Sequence, residues 1–190
     1  MRYRIAAALC LIFMPSPALA DRFEFDRSHT KILFFVNHLG FADSIGEFTD
    51  YDGYFVFDEK APEKSSVFVT IKPAGIRTSS SALDEKLQNE EFFNSAAFPE
   101  IKFASSGIKV TGTNTGEITG DVTLLGVTKP VTLKVTFNKA DFHPYSKEYV
   151  AGFGAETSFN RSDFGMSAYT PAVGDEVRLL IQTEGVRRAP

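Results

Sequence analysis

The chain has 190 residues, with 20 basic and 24 acidic side chains and a net charge of −4 at pH 7. That length suits a single domain; an acidic chain without a Lys/Arg cluster lacks the footprint of a nucleic-acid binder and gains nothing from an anionic membrane surface by charge alone. The 19 Phe and 6 Tyr without any Trp point to dry interior volume, because Phe has no polar handle, and composition leaves open whether that volume is a solid core or a Phe-lined cavity.

The first segment reads as a targeting signal. Arg2 and Arg4 precede an apolar run from Ile5 to Met14, and Ala18-Leu19-Ala20 stands before Asp21, the order of a secretory signal peptide. The run is shorter than the roughly 20 residues that span a bilayer. Cleavage is expected after Ala20, which leaves residues 21–190 as one exported domain. The single cysteine, Cys10, falls inside the leader, and bulky Leu9 before it argues against lipidation. The mature domain then has no thiol and no disulfide, so packing alone must hold it.

From Phe23 onward, apolar residues alternate with polar ones, the mark of half-buried strands. Phe23 and Phe25 begin the pattern. Thr30, Ile32, Phe34, Val36 and His38 share one strand face, and Gly53 to Phe57 ends at Asp58. Val67, Val69 and Ile71 follow. A helix is expected over Ser80–Asn89, where Ser81-Ala82-Leu83-Asp84 resembles a capping box and Leu83 and Leu87 lie one turn apart. Phe92, Phe93 and Phe98 then lead to Pro99 as a lid or a satellite core, the latter being the default. Further runs begin at Ile101, Ile108, Ile118, Val131, Ala151 and Val177, and His143 to Glu148 reads as a hairpin tip. The pattern predicts an all-β fold, an antiparallel barrel of about eight strands with one short helical insert.

Catalytic motifs are sparse. His29 and His38, nine residues apart on one predicted strand, fall on opposite faces, and His143 lies in a loop. No His or Cys pair has ligand spacing, so no metal site is expected. There is no G-x-S-x-G elbow and no mature thiol nucleophile. Asp163-Phe164-Gly165 matches a kinase tripeptide by chance, and Asn160-Arg161-Ser162 is a sequon that matters only in a eukaryotic secretory route. Arg161, Asp163 and Phe164 are candidate contacts at a cavity mouth, together with Phe92 and Phe93; the plainer reading is a structural Arg–Asp turn. His38, on the apolar face with Phe34, reads first as a hydrogen-bonded core residue and second as a ligand contact.

The sequence resembles the YceI-like family of periplasmic, lipocalin-like proteins. The resemblance rests on His29-Thr30 leading into Phe34, Val36 and His38; on Gly46-Glu47-Phe48; on Gly53 through Lys60; and on Leu87 with Phe92-Phe93-Asn94. Phe98-Pro99 with Ile101 and Phe103 add to it, then the specific stretch Gly120 to Val131, and finally Gly152-Phe153, Asp163-Phe164-Gly165 and Glu184-Gly185-Val186. Thr30 stands where many members carry Ser, a departure that keeps the hydroxyl.

The resemblance implies a barrel around an elongated apolar pocket, an isoprenoid lipid (polyprenyl or quinone-like) as bound ligand and a Gram-negative periplasm, and it carries over no catalytic residues. On that basis Ile32, Phe34, Val36 and His38 are expected to line the lumen, joined by Val131, Leu133, Val135 and Phe137. No cofactor, nucleic acid or stable membrane insertion is expected. Two alternatives stand beside this: an enzyme on a lipid-like substrate with His38 or Asp163 as acid–base group, and an integral outer-membrane barrel. The helical insert, the mixed charges and the lack of Trp argue against the latter.

Overall fold

The computed structural model describes residues 21–188, so the expected leader and its cleavage point at Ala20 lie outside the described residues. Alternation becomes strand over more than half of that length: β1 (Asp21–Phe25), β2 (Lys31–His38), β3 (Ala42–Phe48), β4 (Tyr51–Phe57), β5 (Ser66–Ile71), β6 (Ile76–Arg77), β7 (Ile101–Val110), β8 (Thr115–Leu124), β9 (Val127–Phe142), β10 (Tyr149–Asn160) and β11 (Val173–Arg188). One helix, α1 (Ser81–Leu87), stands between β6 and β7.

The 11 spans form eight wall positions of a closed antiparallel barrel. β1 pairs with β11 from Arg22↔Arg188 to Phe25↔Gly185, and β2 takes up the same partner from Lys31↔Gln182 onward. β3 pairs with β2 and β4 with β1, while β6 and β5 continue one another along the next edge. Each of these three in-line couples is one bent strand. Every wall position is antiparallel to the next, and β11 closes the ring on β1 and β2. Closure removes the exposed edges of an open sheet.

The bends have local causes. Asp26 accepts hydrogen bonds from the Ser28 N–H (2.8 Å) and hydroxyl (2.6 Å), an Asx turn that diverts the chain out of the ladder. Pro73 opens the 3-10 turn Pro73–Gly75 between β5 and β6, because its nitrogen has no proton for a strand partner. This corrects the expectation for His29. It lies in the first bend rather than on a strand shared with His38, so the face-parity argument does not apply to it.

The helix starts one residue earlier in its capping than expected. Ser80, not Ser81, is the N-cap, its side chain accepting from the Leu83 N–H at 3.4 Å. Asp84 does not complete a capping box: it accepts from the Thr78 N–H (2.6 Å) and hydroxyl (2.7 Å), tying the helix to the chain leaving β6. The helix ends at Leu87 and turns follow through Pro99.

Strand directions define two rims. At one, here the α1 rim, β2 turns into β3, the helical segment crosses, and the β10–β11 connection returns; the far rim holds Asp21, the β9–β10 tip and Arg188. Inside, one apolar cluster centres on Ile32, Phe34, Phe48 and Val131, and a second on Phe23, Phe55 and Ala151. Gly46 lies directly under the Phe34 ring, where a Cβ would collide with it. A glycine is what lets that ring lie against the neighbouring strand.

Candidate functional site

A cavity of about 730 Å³ runs inside the barrel. Its wall reaches from His38 and Leu39 at the α1 rim to Thr113 and Asn114 at the far rim. All eight residues expected at the lumen are there. Ile32 and Phe34 on β2, and Val131 and Leu133 on β9, are buried in the wall; Val36, Val135 and Phe137 are half-buried, and His38 is exposed at the rim. His38 is therefore a rim residue, not the buried core histidine of the first reading. The same alternation places Phe153, Phe159, Leu179 and Ile181 of β10 and β11 on the lumen. These were legible as strand positions, but no spacing rule told which face closed inward.

The wall spends its polar groups on itself. Thr30, 2% exposed, shares a hydrogen bond with Thr183 between hydroxyls at 2.9 Å, and the Tyr51 hydroxyl donates to the Thr30 carbonyl at 3.2 Å. Burial pushes the Tyr51 phenol above its ordinary range, so it stays neutral. Among the described residues no buried side-chain nitrogen or oxygen lacks a partner. A guest in this lumen meets shape and apolar surface, with few directional contacts to satisfy.

At the α1 rim, Phe92 and Phe93 are buried and both line the cavity. Phe92 stacks on Tyr169 with centroids 6.0 Å apart, and Phe93 meets Phe48 edge-on at 5.8 Å. Phe98, the third ring of that segment, is half-buried and off the lining. The Lys86 ammonium lies 4.1 Å from the Tyr169 ring centre.

Arg161 reaches the cavity wall but is not free to hold a headgroup. It is 3% exposed, and it donates to the carbonyls of Gly174 (2.8 Å), Met166 (3.0 Å), Ala168 (2.8 Å) and Val173 (3.2 Å). Burial pulls its pKa down, with Asp175 opposing that. A guanidinium keeps its charge regardless, so those carbonyls act as its solvation shell. Its role is to gather the β10–β11 connection. Asp163 and Phe164 are off the cavity lining. The 3-10 turn Arg161–Phe164 sends Asp163 out to solvent and folds Phe164 behind the wall, its ring 5.3 Å from that of Phe159. The expected Arg–Asp turn is thus an Arg–carbonyl turn, and the enzyme alternative loses Asp163 as a group facing the lumen.

Outside the barrel, Asp26, His29 and Glu184 form a small cluster. His29 Nδ1 is 2.8 Å from Asp26 Oδ2 and 3.9 Å from Glu184 Oε2. The histidine and Ser28 hold the Asp26 carboxyl down at about 2, and Asp26 in turn raises His29. Histidine spacing along the chain does not reveal this mixed set, in which Glu184 is far from Asp26 and His29 in sequence but adjacent in space. Its geometry is that of an exposed hydrogen-bonded turn. Elsewhere the outer wall carries Lys31, Asp121, Lys134, Glu156 and Arg178, all exposed.

Comparison with known proteins gives a consistent picture. The YceI-like domain family matches residues 23–185. A UPF0312 protein of Pseudomonas putida strain W619 is 36% identical over 187 residues, covering 96% of each chain. The crystal structure of the Campylobacter jejuni YceI protein superposes with a TM-score of 0.74 at 27% identity, over 80% of this chain and 90% of that one. A polyisoprenoid-binding domain from Saccharophagus degradans shares the fold with a TM-score of 0.63 at 9% identity, over 90% and 100% of the two chains.

Proposed function

The chain belongs to the YceI-like family, and on that premise we propose that it is an exported carrier that shelters an isoprenoid lipid, polyprenyl or quinone-like, in its barrel. The observation that carries the reading is the cavity of about 730 Å³ whose wall is apolar along its length. Each CH₂-sized group moved from water into such a lumen is favoured by about 0.8 kcal/mol. Ordering costs hold the net yield for a long ligand to about 0.3 kcal/mol per heavy atom, which still permits a tight, releasable complex. Thr30, Thr183 and Tyr51 satisfy one another, so the tail strands no polar group. The Saccharophagus degradans domain of the same architecture supports this choice of guest.

Export to the periplasm rests on the leader-like residues 1–20. A charged outer wall at mid-height, with Lys134 opposite Glu156, does not face acyl chains without a large penalty, so the barrel works in water. In this reading the guest leaves unchanged: of the two acid–base candidates Asp163 is off the lumen and His38 stands exposed at its rim, and the YceI-like resemblance supplies no catalytic residue.

Mass spectrometry of an organic extract of protein purified from its native host tests the proposal directly. A prenyl lipid at near-stoichiometric amount is the expected result; an extract without lipid, or one holding a product of turnover, overturns it. Phe34→Asp and Val36→Asp should lose the lipid while retaining the barrel's circular dichroism. Amino-terminal sequencing of the periplasmic protein should begin at Asp21.

A further inference from the structure

The two rims differ in what they present to solvent. At the α1 rim the β2–β3 turn exposes Leu39 (50% exposed) and Phe41 (88% exposed). The turn is tight: the Phe41 N–H donates to the His38 carbonyl at 3.0 Å, and the Gly40 N–H to Asn37 Oδ1 at 2.8 Å. Leu39 and Gly40 both have positive φ, 56° and 76°. Turns whose two central residues both have positive φ favour Asn-Gly or Asp-Gly, and a leucine there meets a steric cost that Asn or Gly escapes. Local folding and solubility both argue for a polar residue at Leu39, and solubility for one at Phe41.

Leu39 also lines the cavity. Apolar surface therefore continues from the lumen, over the lip, to the tip of the turn. Half-exposed Tyr169 stands on the same rim with the Lys86 ammonium over its ring. An amphipathic ring beside a lysine whose stem is apolar and head is wet suits a membrane–water boundary. Arg178 faces Asp43 at 3.9 Å, and the Tyr169 hydroxyl donates to the Glu91 carboxylate at 3.1 Å, so acidic groups share this rim with the basic ones. The far rim is different. It is laced with ion pairs, Asp21–Arg187 (3.0 Å), Glu24–Arg188 (2.9 Å) and Lys139–Asp141 (2.9 Å); its exposed Phe142 and Tyr145 do not line the cavity, and the exposed apolar side chain that does, Val110, stands on a strand end beside the polar turn Gly112–Thr115 rather than at a protruding apolar tip.

We propose that the turn Leu39–Phe41, flanked by Tyr169, inserts into the surface of a lipid bilayer and holds the α1 rim against it while the guest passes between membrane and lumen. A fluid bilayer fits this shape. A protruding tip of three side chains falls far short of the roughly 1,000 Å² that a stable protein–protein contact buries. The inference rests on the lipid reading of the cavity. Because the contact is apolar and carboxylates share the rim, it needs no anionic lipid.

The test uses phosphatidylcholine vesicles and a dansyl-labelled geranylgeranyl probe. Wild-type protein floats with the vesicles, and probe transfer between vesicle populations speeds up with vesicle concentration. Phe41→Ser lowers vesicle partitioning about tenfold or more, the loss expected for one buried phenyl ring, while binding of the probe in vesicle-free buffer is retained. Tyr145→Ser on the far rim leaves partitioning unchanged. Phe41→Trp puts a single indole into a chain that has none, and its emission shifts to the blue when vesicles are added. Docking is overturned if wild type does not float, if Phe41→Ser floats equally well, if Tyr145→Ser matches its loss, or if sedimentation shows instead a dimer that depends on Phe41. Absence of probe binding by wild type in vesicle-free buffer overturns the lipid reading itself, a separate outcome.

Discussion

Phe23 and Phe34 lie on the two halves of one bent strand and serve opposite ends. The Phe23 ring stacks on Phe55 with centroids 5.0 Å apart and 5° between planes, with Phe57 and Tyr149 tilted against it at 6.4 Å. It is 1% exposed and does not touch the cavity. The Phe34 ring packs on Phe48 at 5.3 Å, and another side of it borders open lumen. The same side chain, buried to a similar degree, fills space in one place and encloses space in the other. Burial alone therefore does not tell a core residue from a wall residue; what lies beyond the ring does.

Substitution sharpens that difference. Phe23→Ala should cost the most, about 3–5 kcal/mol, because it opens a void inside a ring cluster that cannot collapse; thermal or denaturant unfolding measures it. Arg161→Met comes next at about 2–3 kcal/mol, since Gly174, Met166, Ala168 and Val173 carbonyls lose their donor, and the connection over the hollow end loosens with it. Val36→Ala should cost about 1 kcal/mol or less, because its methyl groups already face open volume. Its larger effect should be on lipid retention. A Val36→Ala penalty equal to that of Phe23→Ala would erase the distinction between filled and hollow regions.

The smallest effect is one of pH. His29 is raised by Asp26, so its contribution is complete below the ordinary histidine value and is lost as pH rises through the raised folded-state value. Asp26 is lowered to about 2; its contribution is present above the ordinary carboxylate value and is lost only as pH falls toward that figure. Wild-type Tm should drift slightly down as pH passes above the histidine range, and His29→Gln should flatten the drift. His29 is exposed and Asp26 only half-buried, so solvent screens the pair and keeps the effect small.

Much of this was legible in the residues. Period-2 alternation picks out the apolar face of β2 and of β9, because a strand has only two faces, and the family resemblance is what makes that face a lumen wall. Alternation also marked the β10 and β11 runs, but not which face turned inward, so Phe153 and Leu179 went unassigned. The role of Arg161 is hidden in the sequence for a different reason. Its partners are four carbonyls contributed by an irregular connection, and a carbonyl leaves no signature in a sequence. His29 was misplaced because Asp26-Arg27-Ser28, a turn former, sat inside a run read as unbroken strand.

The three bends lie side by side. The Tyr51 hydroxyl reaches the Thr30 carbonyl, the Lys72 N–H the Asp50 carbonyl, and the Thr49 N–H the Gly75 carbonyl, which sews β1–β2, β3–β4 and β5–β6 along one crease. On the other flank, β9 and β11 each continue as one strand for 16 residues, with local bulges rather than turns where their registers shift. The barrel is thus built like a purse, rigid staves on one flank and a pleat on the other. Local opening is cheapest where the ladder is interrupted, so changes of girth to suit a bulkier or branched guest fall on the pleat. Amide exchange at Arg27, Thr49 and Lys72 should outpace that of the β9–β10 ladder.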